Sequence, residues 1–284
     1  MKIIENFDLT PCNSYRIKAK CSKAYFPENE KDFQTIFKQK LNKIMIGGGY
    51  NIILSKEFYE EEFVVIGETF ANIELESDTI ISCEAGVNTK TFSEFALNKK
   101  LSGAEIFYDI PSSIGGAVVM NAGASGEEIK DILIRVRYLD LDDGKIKEIS
   151  NKEIGFEYRN SLFQKETNKV VLKAWFDLKS STAKQIKEKM DAVKDARWAK
   201  QPKNYPNAGS VFKRPKGFFV GPMIQELGLK GYTIGDAQIS KKHGGFIVNL
   251  GNANGGDIIQ IIKTVQDKVK ERFNVDLEVE QRII

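Results

Sequence analysis

Few residues of this sequence are placed to do chemistry, and none sits in a motif that settles its role alone. Arg159 lies in Gly155-Phe156-Glu157-Tyr158-Arg159-Asn160-Ser161, one cation beside an aromatic ring in a polar stretch. Its planar fork suits a carboxylate or a phosphate, and equally a surface position packed on Tyr158. Ser210 follows Gly209 in a loop bounded by Pro206 and Pro215. It is not part of a G-x-S-x-G elbow, and the chain has a single histidine, His243. A Ser–His–acid triad would need two unrelated stretches to meet. Glu278 and Glu280 alternate with Leu277 and Val279. Strand alternation puts both carboxylates on one face, by default the solvated one.

Two glycine-rich stretches are better placed for a ligand. Gly47-Gly48-Gly49-Tyr50-Asn51 directly follows the apolar strand 43–46. It lacks the Lys-Ser/Thr ending of a P-loop and the third glycine of G-x-G-x-x-G, so a plain turn is as good a reading as a phosphate site. Some sixty residues later, the stretch 109–126 packs four glycines and three serines around an apolar run. Successive small residues let backbone amides approach an anion closely. They serve a tight buried turn as well. The apolar run reads as a buried strand. Two such turns could clasp one extended dinucleotide.

The positioning elements follow from periodicity. Residues 43–46, 52–54, 63–66 and 79–84 read as strands, 91–99 as a short helix with Phe92, Phe95 and Ala96 on one face. Ile132, Ile134, Val136 and Tyr138 alternate, Asp143-Gly144 supplies a turn, and Ile146 and Ile149 lie on the returning arm. Residues 170–178 form another strand. Thr182 and Gln185 resemble a capping box opening a helix through Trp198. Residues 201–217 are loop-rich, 221–227 a short helix closed by Gly228, and 246–249 a strand. Asp257 opens a strong amphipathic helix with Ile258, Ile262, Val265, Val269 and Phe273 on its buried stripe. Residues 276–284 read as a final strand. This mixed order is α+β in several lobes.

Composition narrows the function classes. The 284 residues suffice for two or three compact units, and 42 basic against 39 acidic side chains leave a net charge of +3 without a basic block. Nucleic acid would demand a concentrated basic surface. Three cysteines, Cys12, Cys21 and Cys83, form neither an even disulfide framework nor a C-x-x-C pair, and no metal site is expected. No apolar stretch reaches signal-peptide or membrane-spanning length, so the expectation is a cytoplasmic, membrane-free protein.

Taken in order, the stretches 46–54, 110–126, 158–163, 208–213, 228–231, 243–249 and 277–284 resemble the UDP-N-acetylenolpyruvoylglucosamine reductase family of flavoenzymes. The resemblance covers essentially the whole chain. It implies an α+β FAD-binding fold of the vanillyl-alcohol-oxidase type in two lobes, with a C-terminal α+β substrate lobe. Residues 1–67, joined by the strand 275–284, would be the first FAD lobe, 68–180 the second, and 181–274 the substrate lobe. The short interval from Arg159 to Ser210 matches the compact subtype without a tyrosine loop.

The resemblance further implies that NADPH reduces bound FAD, and that the enolpyruvyl group of UDP-N-acetylglucosamine enolpyruvate then accepts the hydride, giving UDP-N-acetylmuramate for peptidoglycan. By position Ser210 matches the proton donor, and Arg159 and Glu280 match the pair that polarises and steadies the enolpyruvyl carboxylate. Cofactor contacts fall on Gly47, Gly48, Gly49, Tyr50, Asn51, Ile52, Ile110, Pro111, Ser112, Ser113, Gly115, Gly116, Gly123 and Gly126, and substrate contacts on Tyr158 and Lys213. A monomer is expected. The chain departs from the usual pattern at Asp109 and Ser112 (Gly in the family), Tyr50 (Ser), Glu157 (Gly), Arg214 (Asn) and Gln281 (Val). An acidic Asp109 near a pyrophosphate is unfavourable unless it points away. Two other readings are an FAD-dependent alcohol or sugar oxidase on the same fold and a non-catalytic nucleotide-sugar-binding protein.

Overall fold

A computed structural model describes residues 1–38 and 43–284. The chain separates into two compact units and passes between them several times. The first comprises Met1–Ile4, Lys23–Gly48 and Glu61–Ala196, the second Glu5–Ser22, Gly49–Glu60 and Arg197–Ile284.

Among its described residues the first unit holds two larger sheets and two short two-stranded ones. In one of the larger sheets, the strand Glu62–Val65 lies parallel between Lys43–Ile46 and the second half of Lys20–Phe26. The other is antiparallel throughout, in the order Lys145–Ser150, Leu133–Asp140, Lys169–Asp177, Ile80–Glu84, Ile73–Leu75. Its hairpin turns at Asp143-Gly144 as the sequence predicts, with Gly144 at φ 68°. The expected even alternation along 132–138 breaks, however. Register shifts beside Leu133 and Arg137 displace the pleat, so Leu133 is buried and Ile134 only half-buried. The helix Thr89–Asn98 covers the sheet through Phe92, whose ring meets Phe176 at 4.7 Å and Phe107 at 6.4 Å. Such ring pairs add to the area that they bury.

The apolar run after Ser113 is not the buried strand expected. Residues Ile114–Val119 form a short helix, because Ser113 sits extended at its N-cap and accepts from the Gly116 amide, while Ala117 N–H reaches the Ser113 carbonyl at 2.8 Å. Gly123-Ala124 then pairs antiparallel with Glu127-Glu128 across a turn whose two central residues, Ser125 and Gly126, are left-handed.

In the second unit the strands Thr233–Ile234, Ala237–Ile239 and Ile247–Asn249 form an antiparallel sheet, against which the helix Gly255–Phe273 packs its stripe. That helix starts two residues before Asp257. Asn254 is its cap, and Asp257 closes the capping box by accepting from the Asn254 amide. The tail differs from the single strand expected. Ladder pairing is confined to Arg282–Ile283, parallel to Ile52–Ile53, with one isolated bridge from Val279 to Phe212. Between these points its backbone bonds to different neighbours in turn, which a regular ladder would not permit. The strands Lys2–Asp8, Lys20–Phe26 and Ile73–Leu75 and the helix Glu30–Lys38 were not foreseen.

Candidate active site

Gly47, at the start of the first glycine-rich stretch, meets the second stretch within the first unit. A Cβ placed on Gly47 would lie 2.5 Å from the Ser113 hydroxyl, so the chain after Lys43–Ile46 rests directly on the cap of the Ile114–Val119 helix. Gly47 and Ser113 are flanked in the chain by Gly48 and Ser112, so the junction is built from small residues. This is a cradle that any larger side chain would fill, and it fits the phosphates of a dinucleotide cofactor. Not every amide there is available to a ligand. Ile114 and Gly115 donate to the carbonyls of Val87 and Ala85, both at 2.8 Å, and Thr89 holds the Ile110 and Ser112 carbonyls through its hydroxyl. Gly123 and Gly126 belong to the small hairpin described above. Asp109 ends a helical turn at φ −111°, a conformation open to any residue, so its backbone does not call for the glycine usual there.

Arg159 sits in the same unit, at the tip of a turn closed by paired bonds between Glu157 and Asn160. Its φ of 52° is left-handed. The guanidinium donates to the carbonyls of Asn121 (3.2 Å) and Gly123 (2.7 Å), with Glu128 at 3.9 Å. The Tyr158 ring lies 5.1 Å away and is half exposed. Of the two sequence readings, the packing on Tyr158 is the one observed. The aromatic contact exists, but the fork is aimed by backbone carbonyls of the central segment. Asn121 was missed as a participant. It is fully buried at φ 45°, and its amide bonds Glu128 and the Glu157 carbonyl. A buried asparagine in a left-handed position before a glycine-rich hairpin is the signal that could have found it.

In the second unit, the extended stretch 210–213 runs between two others. Val211 N–H reaches the Gly245 carbonyl at 3.0 Å, while Val211 and Glu278 carbonyls accept from Glu280 and Lys213 at 2.8 and 2.9 Å. Val211 and Phe212 are buried and anchor the stretch, which leaves Ser210 exposed at its start and Glu280 half-buried beside it. Asn51 donates to the Glu280 carbonyl at 3.1 Å. An expected cofactor contact thus also holds the C-terminal segment in register. Lys213 is engaged by Glu278 at 2.6 Å. Glu278 and Glu280, expected on one solvated face, differ in exposure: only Glu278 stands in solvent.

Gly49, in this unit, has φ +69°, and a Cβ on it would stand 1.9 Å from the Cys12 carbonyl oxygen. Only glycine satisfies both the backbone angle and the contact. His243 is half-buried, its Nδ1 accepts from the Gly245 amide at 3.0 Å, and its ring meets Phe246 edge-on at 4.9 Å. Burial, aided by the charge of Lys230, pushes its pKa down. That environment is structural, with one ring nitrogen already used. Among the described residues no helix is long and apolar enough to cross a membrane.

Comparison with known proteins gives the family. Residues 201–284 match a family model described as the UDP-N-acetylenolpyruvoylglucosamine reductase C-terminal domain, and residues 23–150 match one described as an FAD binding domain. The UDP-N-acetylenolpyruvoylglucosamine reductase of Francisella tularensis is 40% identical over 282 residues, covering 99% of both chains. That of Petrotoga mobilis is 40% identical over 291 residues, covering 99% of this chain and 94% of the relative. The solved UDP-N-acetylenolpyruvylglucosamine reductase of Thermus caldophilus superposes with a TM-score of 0.85 at 29% identity, over 99% of this chain and 98% of that one. The α+β FAD-binding fold expected from the resemblance is therefore the fold observed. Identity at this level along nearly the full length places the chain in the UDP-N-acetylenolpyruvoylglucosamine reductase family.

Proposed function

We propose that this protein is an NADPH-dependent flavoenzyme that reduces the enolpyruvyl group of UDP-N-acetylglucosamine enolpyruvate to UDP-N-acetylmuramate, a peptidoglycan precursor. The observation that carries the reading is full-length kinship with reductases of that name, together with the Gly47–Ser113 cradle suited to a dinucleotide. FAD, when bound, would supply the redox chemistry that links NADPH to the substrate. The protein's part is to bind, orient and supply a proton.

Hydride arriving at the terminal enolpyruvyl carbon leaves negative charge on the carbon beside the carboxylate. Arg159 is the group we assign to that charge. Its guanidinium is always cationic and is held by the Asn121 and Gly123 carbonyls, so it needs no reorganisation as charge develops. Ser210 donates the proton from its Oγ. A hydroxyl is a weak acid and protonates a carbanion only when held against it, which an exposed serine on an anchored backbone can do. Glu280, with its carbonyl held by Asn51, steadies the carboxylate end. Gly47, Gly48, Ser112 and Ser113 would hold the pyrophosphate of the cofactor, Gly49, Tyr50, Asn51 and Ile52 would continue its contacts, and Tyr158 and Lys213 would contact substrate, Lys213 by exchanging Glu278 for a phosphate. The three-part division into FAD lobes 1–67 with 275–284 and 68–180, and a substrate lobe 181–274, belongs to the same reading. So do a monomer and a cytoplasmic location.

The test is consumption of NADPH by the purified protein with added UDP-N-acetylglucosamine enolpyruvate. One product molecule, heavier by two hydrogens, should form per NADPH. NADPH consumption that proceeds equally without the sugar nucleotide, with oxygen as acceptor, would point to an oxidase instead.

A further inference from the structure

Behind Ser210 lies a buried polar group that no proposed step uses. Gln281 is 3% exposed, and its side-chain amide faces three successive carbonyls, those of Ala208 (2.9 Å), Gly209 (3.3 Å) and Ser210 (3.4 Å). The left-handed Gly209 turns the chain so that these oxygens converge. On its other side Gln281 Oε1 accepts from the Tyr15 hydroxyl at 3.0 Å. The amide can sit only this way round. Carbonyls do not donate, so the NH2 must face them, and the oxygen must then meet the Tyr15 O–H. Tyr15 is wholly buried, and burial pushes its phenol pKa up, so the ring remains a neutral donor. Its own carbonyl accepts from Asn249 at 2.8 Å, on the strand that continues from Phe246, the bridge partner of Ser210. Asn249 is itself buried and accepts from the Gly251 and Ala253 amides.

The chain Asn249–Tyr15–Gln281 therefore ends on the backbone of Ser210. A buried amide costs stability unless every bond is made, and here they are made.

We propose that Gln281, backed by Tyr15, is a positioning residue that fixes the 208–210 backbone and so the direction in which Ser210 delivers its proton. This rests on Ser210 being the donor in the reading above. A misplacement of about 1 Å in a reacting group can cost about a hundredfold in rate, so a carbonyl clamp has kinetic leverage that its own bonds would not suggest.

The experiment compares Gln281→Met, which keeps length and volume but no amide, with Tyr15→Phe and the double variant. Flavin content, thermal midpoint, UDP-N-acetylmuramate affinity by calorimetry, and the two half-reactions by anaerobic stopped flow are measured for each. Gln281→Met should slow reoxidation by UDP-N-acetylglucosamine enolpyruvate about tenfold or more, with reduction by NADPH and product affinity within about twofold of the parent. Tyr15→Phe, which removes one hydroxyl and keeps the fold, should slow the same half-reaction about threefold. The double variant should be no slower than Gln281→Met, because Tyr15 acts through the glutamine. Equal losses in both half-reactions, additive losses, or no loss would each overturn the proposal. A parent protein that the enolpyruvyl sugar nucleotide fails to reoxidise would overturn the reductase reading itself, which is a separate result.

Discussion

Ser210 and Arg159 are each assigned to one moment of the proposed reaction, so a substitution at either should disturb that moment alone. Ser210→Ala removes only a hydroxyl from an exposed position, so folding and reduction of the flavin by NADPH should be untouched. Reoxidation by the sugar nucleotide should fall about a hundredfold or more, in the range by which a positioned acid contributes. A variant with equal defects in both half-reactions would remove the donor assignment. Arg159→Lys keeps the charge but cannot span the Asn121 and Gly123 carbonyls with one ammonium. Substrate turnover should drop about tenfold or more while the thermal midpoint moves by only a few degrees. Parental turnover would return Arg159 to a surface residue packed on Tyr158.

Among the elements, those with strong local signals were legible in the sequence. The helix Gly255–Phe273, the Asp143-Gly144 hairpin and the strand Lys169–Asp177 carry periodicity or turn chemistry that tertiary packing did not override. The Ile114–Val119 helix was not legible as one, since Gly115-Gly116 has poor helix propensity and only the Ser113 cap and close packing on Ala85 and Val87 compensate. The resemblance proposed the chemical site residues and marked Gln281 only as a departure from pattern, whereas Asn121 and Tyr15 escaped notice; the bonds of all three are buried and join distant parts of the chain. Asn254→Ala deletes the cap of Gly255–Phe273 and should cost about 1 kcal/mol, seen as a small fall in denaturation midpoint. Gly49→Ala forces a Cβ into the Cys12 carbonyl at a left-handed position, and should cost about 3 kcal/mol or more, read as loss of soluble folded protein or a large fall in midpoint. A well-folded Gly49→Ala protein would mean that this turn relaxes freely.

For the whole molecule, a single histidine makes one part of the pH dependence separable. His243 has its folded pKa below the ordinary 6.5 because burial disfavours the cation. The unfolded chain therefore binds a proton that the folded one refuses, and stability falls as pH drops from about 7 through the unfolded pKa, levelling off only below the folded one. Thermal melts between about pH 7.5 and pH 5.5 should show this slope in the parent, and His243→Gln should flatten it. An identical slope in both would assign the effect to carboxylates. The claim on which everything else depends is that one protein performs both half-reactions. Anaerobic stopped-flow absorbance of the flavin-loaded protein tests it directly, with NADPH added first and UDP-N-acetylglucosamine enolpyruvate second. Bleaching of the flavin followed by rapid recolouring on addition of the sugar nucleotide is the predicted result; bleaching that only air reverses would contradict it.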